Sequence, residues 1–200
     1  MSFAKTIIDK LAGNSKIFTF LRKVLEINFI VQKRLVKKYF GDVASQKVLD
    51  IGCGTGEFAD LFKKADYYGV DISEDYIAFA KRNKPGKFSV MDATQLQFLD
   101  NEFDKVLIMA ILHHLDDETV KKVLAEAKRV VKPGGQILIM EDAKIKSLLN
   151  FITKPLQSLD KGDYIRNAKE YTSLVALYFE IEKQGEFRSG AITYAYFLAR

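Results

Sequence analysis

Apolar positions follow two different periods along this chain, and the switches between them mark its elements. From residue 16 to 40 the spacing is helical. Phe18, Leu21, Val24, Leu25, Phe29 and Leu35 recur at steps of three and four, widened by Phe20, Ile27, Ile30 and Val31, while Arg22/Lys23 and Lys33/Arg34/Lys37/Lys38 supply the water-facing ends. A first helix is predicted over residues 3–12, with Asn14 or Ser15 in the intervening Gly13-Asn14-Ser15 able to cap the second. The pattern then contracts. Val48, Leu49 and Ile51 form a nearly continuous apolar run that suits a central parallel strand covered on both faces. Similar runs predict strands over Tyr67–Ile72, Lys87–Ala93, Val106–Ala110 and Gln136–Met140, separated by helices over Glu57–Lys64, Ser73–Asn83 and Glu118–Val131. Ser73 is a candidate N-cap with Asp75 in the first turn, and Lys84-Pro85-Gly86 and Pro133-Gly134-Gly135 break the chain before two of the strands. Strands alternating with helices specify a doubly wound parallel α/β sheet. A helix over Asn167–Leu177 follows, then two alternating strands, Phe179–Phe187 and Ala191–Leu198, joined across Arg188-Ser189-Gly190 as a hairpin.

The chemistry concentrates where the first strand ends. In KVLDIGCGTGEF (residues 47–58) the strand runs into Gly52, Gly54 and Gly56 and then into a helix opening on Glu57. Glycines here permit positive φ and close approach of a ligand to backbone, and a helix start presents free N–H groups to an anionic group. The spacing G-x-G-x-G differs from the G-x-G-x-x-G of dinucleotide-binding folds, which argues against a nicotinamide oxidoreductase. About 20 residues further on, the second strand reaches Asp71, where nucleoside-binding α/β folds hold a ribose diol with a carboxylate. The third ends on Asp92.

Taken together, KVLDIGCGTG, GVDIS, MDA, FDKVLIMAILHHL (103–115) and VVKPGGQILIMED (130–142) resemble the class I S-adenosylmethionine-dependent methyltransferases, over residues 45–143. The resemblance is to the small-molecule branch that includes ubiquinone/menaquinone and sugar or natural-product methyltransferases. It implies a Rossmann-like seven-stranded sheet, mostly parallel, whose antiparallel C-terminal strand inserts beside the fifth. It also implies S-adenosylmethionine as cofactor and S-adenosylhomocysteine as product, with Gly52, Gly54 and Gly56 around the methionine part and Asp50 on its amino group. Asp71 would bind the ribose, Ile72 would pack on adenine, and Asp92, with Ala93 beside it, would accept from the adenine amino group. The chain is then one methyltransferase domain over residues 1–200, in four parts. These are an N-terminal helical lid (1–45), a cofactor-binding core (46–143), substrate-covering helices (144–178) and a C-terminal hairpin (179–200).

Methyl transfer is an in-line displacement, so the protein mainly aligns donor and acceptor, and a base matters when the acceptor carries a proton. His113 and His114 are the only histidines and sit just beyond the fourth strand, where the resembling enzymes face the transferring methyl. Either can accept a proton from a hydroxyl; the plainer reading is a structural hydrogen bond closing the loop. His114 is preferred as base, and the resemblance to sugar methyltransferases implies an acid accompanying the histidines near the end of the fifth strand, a place for Glu141 or Asp142. Arg166, beside Asp163 and Tyr164, can pair with an acidic or phosphorylated acceptor or form a surface ion pair. Adjacent histidines lack the one-face spacing of helical metal ligands, and no metal site is expected.

Composition narrows the setting. Cys53 is the single cysteine, so no intrachain disulfide forms, and its small side chain suits a tight loop better than a reactive thiol role. With no long apolar run and no signal-peptide core at the start, a cytoplasmic, non-spanning protein is expected. Residues before Lys47 carry nine basic against three acidic side chains, +6, leaving the rest at −1. That asymmetry fits solvated helix faces, or peripheral contact with a membrane or a lipid-linked acceptor. It also raises the alternative of an RNA methyltransferase. The sequence after the fourth strand is Ala110-Ile111-Leu112-His113-His114, not the Asn/Asp-Pro-Pro-aromatic motif of enzymes that methylate exocyclic amines, and nucleic acid is disfavoured. A catalytically silent binding subunit would show decay of the cofactor motifs, which are intact here. The expected function is methyl transfer to a small-molecule or lipid- or sugar-linked acceptor, at oxygen.

Overall fold

Val48, Leu49 and Ile51 are fully buried in β1 (Lys47–Ile51), and the sheet is built outward from that strand. The computed structural model describes residues 29–144, 163–190 and 192–200. Five strands run parallel: β1, β2 (Asp66–Asp71), β3 (Lys87–Val90), β4 (Phe103–Met109) and β5 (Val131–Asp142). β7 (Ile192–Ala199) lies antiparallel beside β5, and β6 (Ile181–Ser189) pairs antiparallel with β7 at the edge. The seven-stranded order is β3-β2-β1-β4-β5-β7-β6, the mostly parallel sheet with an antiparallel C-terminal strand that the sequence implied. Parallel pairing brings the ends of β1 to β5 to one edge, where a doubly wound sheet binds its ligands.

Alternation along each strand divides the core between two faces. Leu49, Ile51, Val106, Ile108, Ile137 and Ile139 face α3 (Asp117–Val130) and α4 (Ala168–Val175). Val48, Leu107, Met109, Leu138 and Met140 face α1 (Ile30–Phe40) and α2 (Glu74–Asn83). The helices start where side-chain oxygens can satisfy free backbone N–H groups. Ser73 accepts from Tyr76 at 3.4 Å, Asp116 accepts from Thr119 at 2.8 Å, and Asn167 forms a reciprocal capping box with Glu170.

Three expectations change. The helix predicted over Glu57–Lys64 is instead a series of tight turns with a short 3₁₀ segment, Ala59–Phe62. Bonds such as Leu61 N–H to the Phe58 carbonyl and Ala65 N–H to the Phe62 carbonyl close at i−3. The positive-φ glycines keep the chain in turns up to Gly56, and burial of Phe58, Ala59 and Phe62 fixes the short segment that follows. Second, β3 ends at Val90, so Asp92 lies in the loop beyond it. Third, the expected break at residues 133–135 falls inside β5, whose register against β4 shifts between Phe103 and Lys105. The predicted helix over 3–12, most of the one over 16–40 and the segment 145–162 lie outside the described residues.

Phe103 shows how tightly the core is packed. Its ring is fully buried, edge-on to Phe98 at 4.9 Å and to Tyr68 at 5.4 Å. Phe103→Ala is expected to lower the unfolding free energy by about 3–5 kcal/mol, read as a shift of the urea midpoint without a change in slope.

Candidate active site

At the strand-end edge lies a cavity of about 730 Å³. Gly52 and Gly54 of the glycine turn border it, whereas Gly56, also predicted to surround the cofactor, does not and packs toward Lys84 and Phe88 instead; all three take positive φ, at 74°, 53° and 76°. Gly52 cannot carry a side chain, because a Cβ there would meet Ile111 Cγ2 at 2.1 Å, whereas a Cβ on Gly54 would meet no protein atom within 4 Å. Gly54 borders the cavity, so the backbone there is bare toward whatever fills it.

Three of the predicted carboxylates line this space: Asp50, Asp71 and Asp92. Asp50 is buried, and loss of hydration pushes its carboxyl up to about 7, although the hydroxyl of Tyr67, donating to Oδ2 at 2.6 Å, acts in the opposite direction. Asp71 is also raised by burial; its Oδ2 accepts the Gly54 N–H at 2.9 Å and its Oδ1 the Ser73 N–H at 2.9 Å. One N–H of the glycine turn is therefore already engaged within the protein, rather than left for an anionic ligand as the sequence suggested. Asp92 is exposed and held below the ordinary carboxylate range by the backbone N–H and hydroxyl of Thr94, both 2.8 Å from Oδ1. Ile72, 73% exposed, and Ala93 border the same cavity.

The two histidines separate. β4 is followed by Ala110, at a φ of 55° that a residue with a Cβ seldom adopts, and this turn leads into a short 3₁₀ segment, Leu112–His114. Glu141, fully buried at the end of β5, accepts the N–H groups of Ile111 and Leu112 at 3.0 Å and of His113 at 3.3 Å. The same carboxylate lies 3.0 Å from His113 Nδ1, which is the donor because a carboxylate holding three backbone N–H groups accepts. His113 is itself fully buried and does not border the cavity, while His114 does. His113 and Glu141, expected at the reacting centre, thus lie behind the cavity wall, where they hold the loop together.

Arg166 completes the support and corrects a second expectation. Rather than facing an acceptor, it is buried and donates to the carbonyls of Leu112 at 2.9 Å, Leu115 at 2.8 Å and Tyr164 at 3.1 Å, and to Asp117 Oδ1 at 2.6 and 2.9 Å. Tyr164 adds its N–H to the His113 carbonyl at 3.0 Å, and Asp163 stays exposed. The sequence also missed several wall residues. Phe29 packs on Phe58 with ring centroids 6.1 Å apart, and Tyr76, Met91, Met109 and Lys122 border the cavity. The helical stripe had marked Phe29 as apolar, but nothing in spacing distinguishes a cavity wall from a core.

This arrangement is the Rossmann-like fold of the S-adenosylmethionine-dependent methyltransferases. Residues 49–139 match the model of the methyltransferase domain family. Among curated relatives, the demethylmenaquinone methyltransferase of Renibacterium salmoninarum is 39% identical over 112 residues, covering 54% of this chain and 46% of the relative. The ubiquinone/menaquinone biosynthesis C-methyltransferase of Bdellovibrio bacteriovorus is 34% identical over 142 residues, covering 64% and 59%. A tRNA (carboxymethyluridine(34)-5-O)-methyltransferase of Arabidopsis thaliana is 36% identical over 108 residues, covering 54% and 26%. The matched stretch thus spans about half the length of the first two relatives and about a quarter of the third. Among solved structures, magnesium protoporphyrin IX methyltransferase from Synechocystis, with bound S-adenosylhomocysteine, superposes with a TM-score of 0.71 at 20% identity, covering 90% of this chain and 86% of that one. At that identity the likeness is one of fold.

Burial of Asp50 has a measurable consequence. The folded chain keeps a proton to about pH 7 that the unfolded chain releases near 3.8, so this group's contribution to stability falls as pH rises between those values. Asp50→Asn removes the titration. The unfolding free energy of wild type minus that of the variant is expected to decline by several kcal/mol from pH 4 to pH 8, measured by urea denaturation in the absence of ligand.

Proposed function

We propose that this protein transfers a methyl group from S-adenosylmethionine to a small-molecule acceptor. The observation that carries the reading is the cavity itself: bare glycine backbone and three carboxylates, on the ends of β1 and β2 and just past β3, border one space. That donor set fits the cofactor. Asp50 suits its ammonium, Asp71 its ribose diol and Asp92 its exocyclic amine, with Ile72 and Ala93 against the adenine ring. When bound, S-adenosylmethionine supplies an electrophilic methyl on a sulfonium sulfur. The protein's part is alignment and exclusion of water, in which Phe29 and Phe58 form an apolar wall.

Transfer to oxygen is the finer reading. His114 borders the cavity on a loop fixed from behind by Glu141 and Arg166, and an imidazole there takes the proton of an acceptor hydroxyl as that oxygen becomes the nucleophile. Carbon is the second reading, favoured by the Bdellovibrio relative, which is named a C-methyltransferase. A hydroxyl-bearing ring methylated at carbon also gains from loss of its proton, so His114 serves either outcome. The acid-lined wall, facing Lys122 as the one lysine or arginine among the described residues that borders the cavity, favours a neutral acceptor over a phosphorylated one. Among the described residues no helix is long and apolar enough to cross a membrane. A lipid-linked acceptor would therefore be met at a surface, in keeping with exposed Arg34, Lys37 and Lys38 on α1.

Two measurements test this. In calorimetric titration wild type is expected to bind S-adenosylmethionine and S-adenosylhomocysteine at micromolar levels, and Asp71→Ala to weaken both about tenfold or more, since it removes charge-assisted hydrogen bonds of about 1.5–3 kcal/mol. Absence of binding by wild type would overturn the reading. With an acceptor found by screening hydroxyl-bearing aromatic compounds, His114→Ala is expected to cut turnover by about 10²–10⁴ while leaving cofactor affinity within about twofold. Mass spectrometry of the product then separates O- from C-methylation.

A further inference from the structure

Asp50 is held in an unusual way. It lies at the end of the central strand, 1% exposed, with Gly69 directly opposite on β2 and Leu107 opposite on β4, so neither flanking partner offers it a polar side chain. Among the described residues one side chain hydrogen-bonds its carboxylate: the hydroxyl of Tyr67, at 2.6 Å from Oδ2. Tyr67 is itself 2% exposed, its ring stacked on Phe62 at 5.4 Å and edge-on to Phe88 at 5.7 Å. The ring is thereby fixed from both sides, and the hydroxyl has little freedom to leave. Among the described residues the titratable groups that face this carboxylate are Tyr67 and Asp71 from β2 and Cys53 from the turn, and none of these is a cation. In such surroundings loss of hydration favours the protonated form, and a donor to the carboxylate acts against it.

We propose that Tyr67 is a positioning residue for cofactor binding: its hydroxyl fixes the orientation of the Asp50 carboxylate by holding Oδ2, and keeps that carboxylate ready to receive an ammonium group from the cavity side. This rests on the cofactor reading given above. Tyr67 does not border the cavity and acts entirely through Asp50. Its effect is specific to ligands that carry the amino-acid end of the cofactor. The donation favours the ionised carboxylate, so without the hydroxyl Asp50 takes up its proton at higher pH and meets an ammonium group less well near neutrality.

The test is calorimetric titration of S-adenosylhomocysteine and of 5′-methylthioadenosine, which lacks the amino-acid portion, into wild type, Tyr67→Phe, Asp50→Asn and the double variant across pH 6 to 8.5. Tyr67→Phe is expected to bind S-adenosylhomocysteine about tenfold more weakly at pH 7, to move the rise of affinity with pH upward, and to bind 5′-methylthioadenosine within about twofold of wild type. In the Asp50→Asn background the same substitution is expected to have no further effect on S-adenosylhomocysteine. Tyr67→Met, which also fills the site without a hydroxyl, is a second variant with the same expectations should Tyr67→Phe fold poorly. Equal loss of both ligands would mean a packing defect and overturn the proposal, as would wild-type affinity at every pH or full additivity with Asp50→Asn. Failure of wild type itself to bind S-adenosylhomocysteine would instead overturn the cofactor reading.

Discussion

The site depends on one buried carboxylate. Glu141 closes β5 in full burial and is held there by three backbone N–H groups and the His113 ring. A carboxylate taken out of water costs several kcal/mol unless its lone pairs are met, so the loop after β4 and the end of β5 fix one another. Ala110 turns through a left-handed conformation to aim those N–H groups, and Arg166 takes two of the outward carbonyls, of Leu112 and Leu115, on the other side. With donors and acceptors of one short loop both satisfied by buried partners, His114 and Ile111 have little choice of place. Ile111 presses on Gly52, which joins the histidine loop to the glycine turn.

Electrostatics of the cavity run the other way from this satisfied clamp. Asp50 and Asp71 are both raised by loss of hydration, lie on neighbouring strands and raise the cost of each other's charge. Their backbone and hydroxyl donors offset only part of that cost. Such a pair is least costly when a cationic ligand shares the space, and stability spent here is recovered on binding. The clamp behind the wall has its donors and acceptors met within the protein, whereas the acids within the wall are left short of partners.

Much of this was legible in the residues. Strand and helix periods located every strand of the sheet to within a few positions, because strands buried on both faces leave an unbroken apolar run between glycines and prolines. The cavity-bordering set of Asp50, Gly52, Gly54, Asp71, Ile72, Asp92, Ala93 and His114 was legible too, since each sits at the end of an apolar run and such ends converge in a parallel sheet. The first crossover was misread as a helix. The residues Glu57–Lys64 favour one locally, but the positive-φ glycines before them and the burial of Phe58 and Phe62 leave turns around a four-residue 3₁₀ segment, Ala59–Phe62.

What the sequence by itself determined is which residues reach the binding edge, because period and glycine spacing are properties of the chain read one residue after another. Which of two adjacent histidines faces the cavity, whether Arg166 meets an acceptor or a carbonyl, and which hydroxyl holds Asp50 were decided only by tertiary structure. Each of those outcomes turns on partners 17 to 54 residues away, as in Tyr67 with Asp50 and Arg166 with Leu112. A buried polar group takes whichever partner packing brings within 3 Å, and no local pattern encodes that distance.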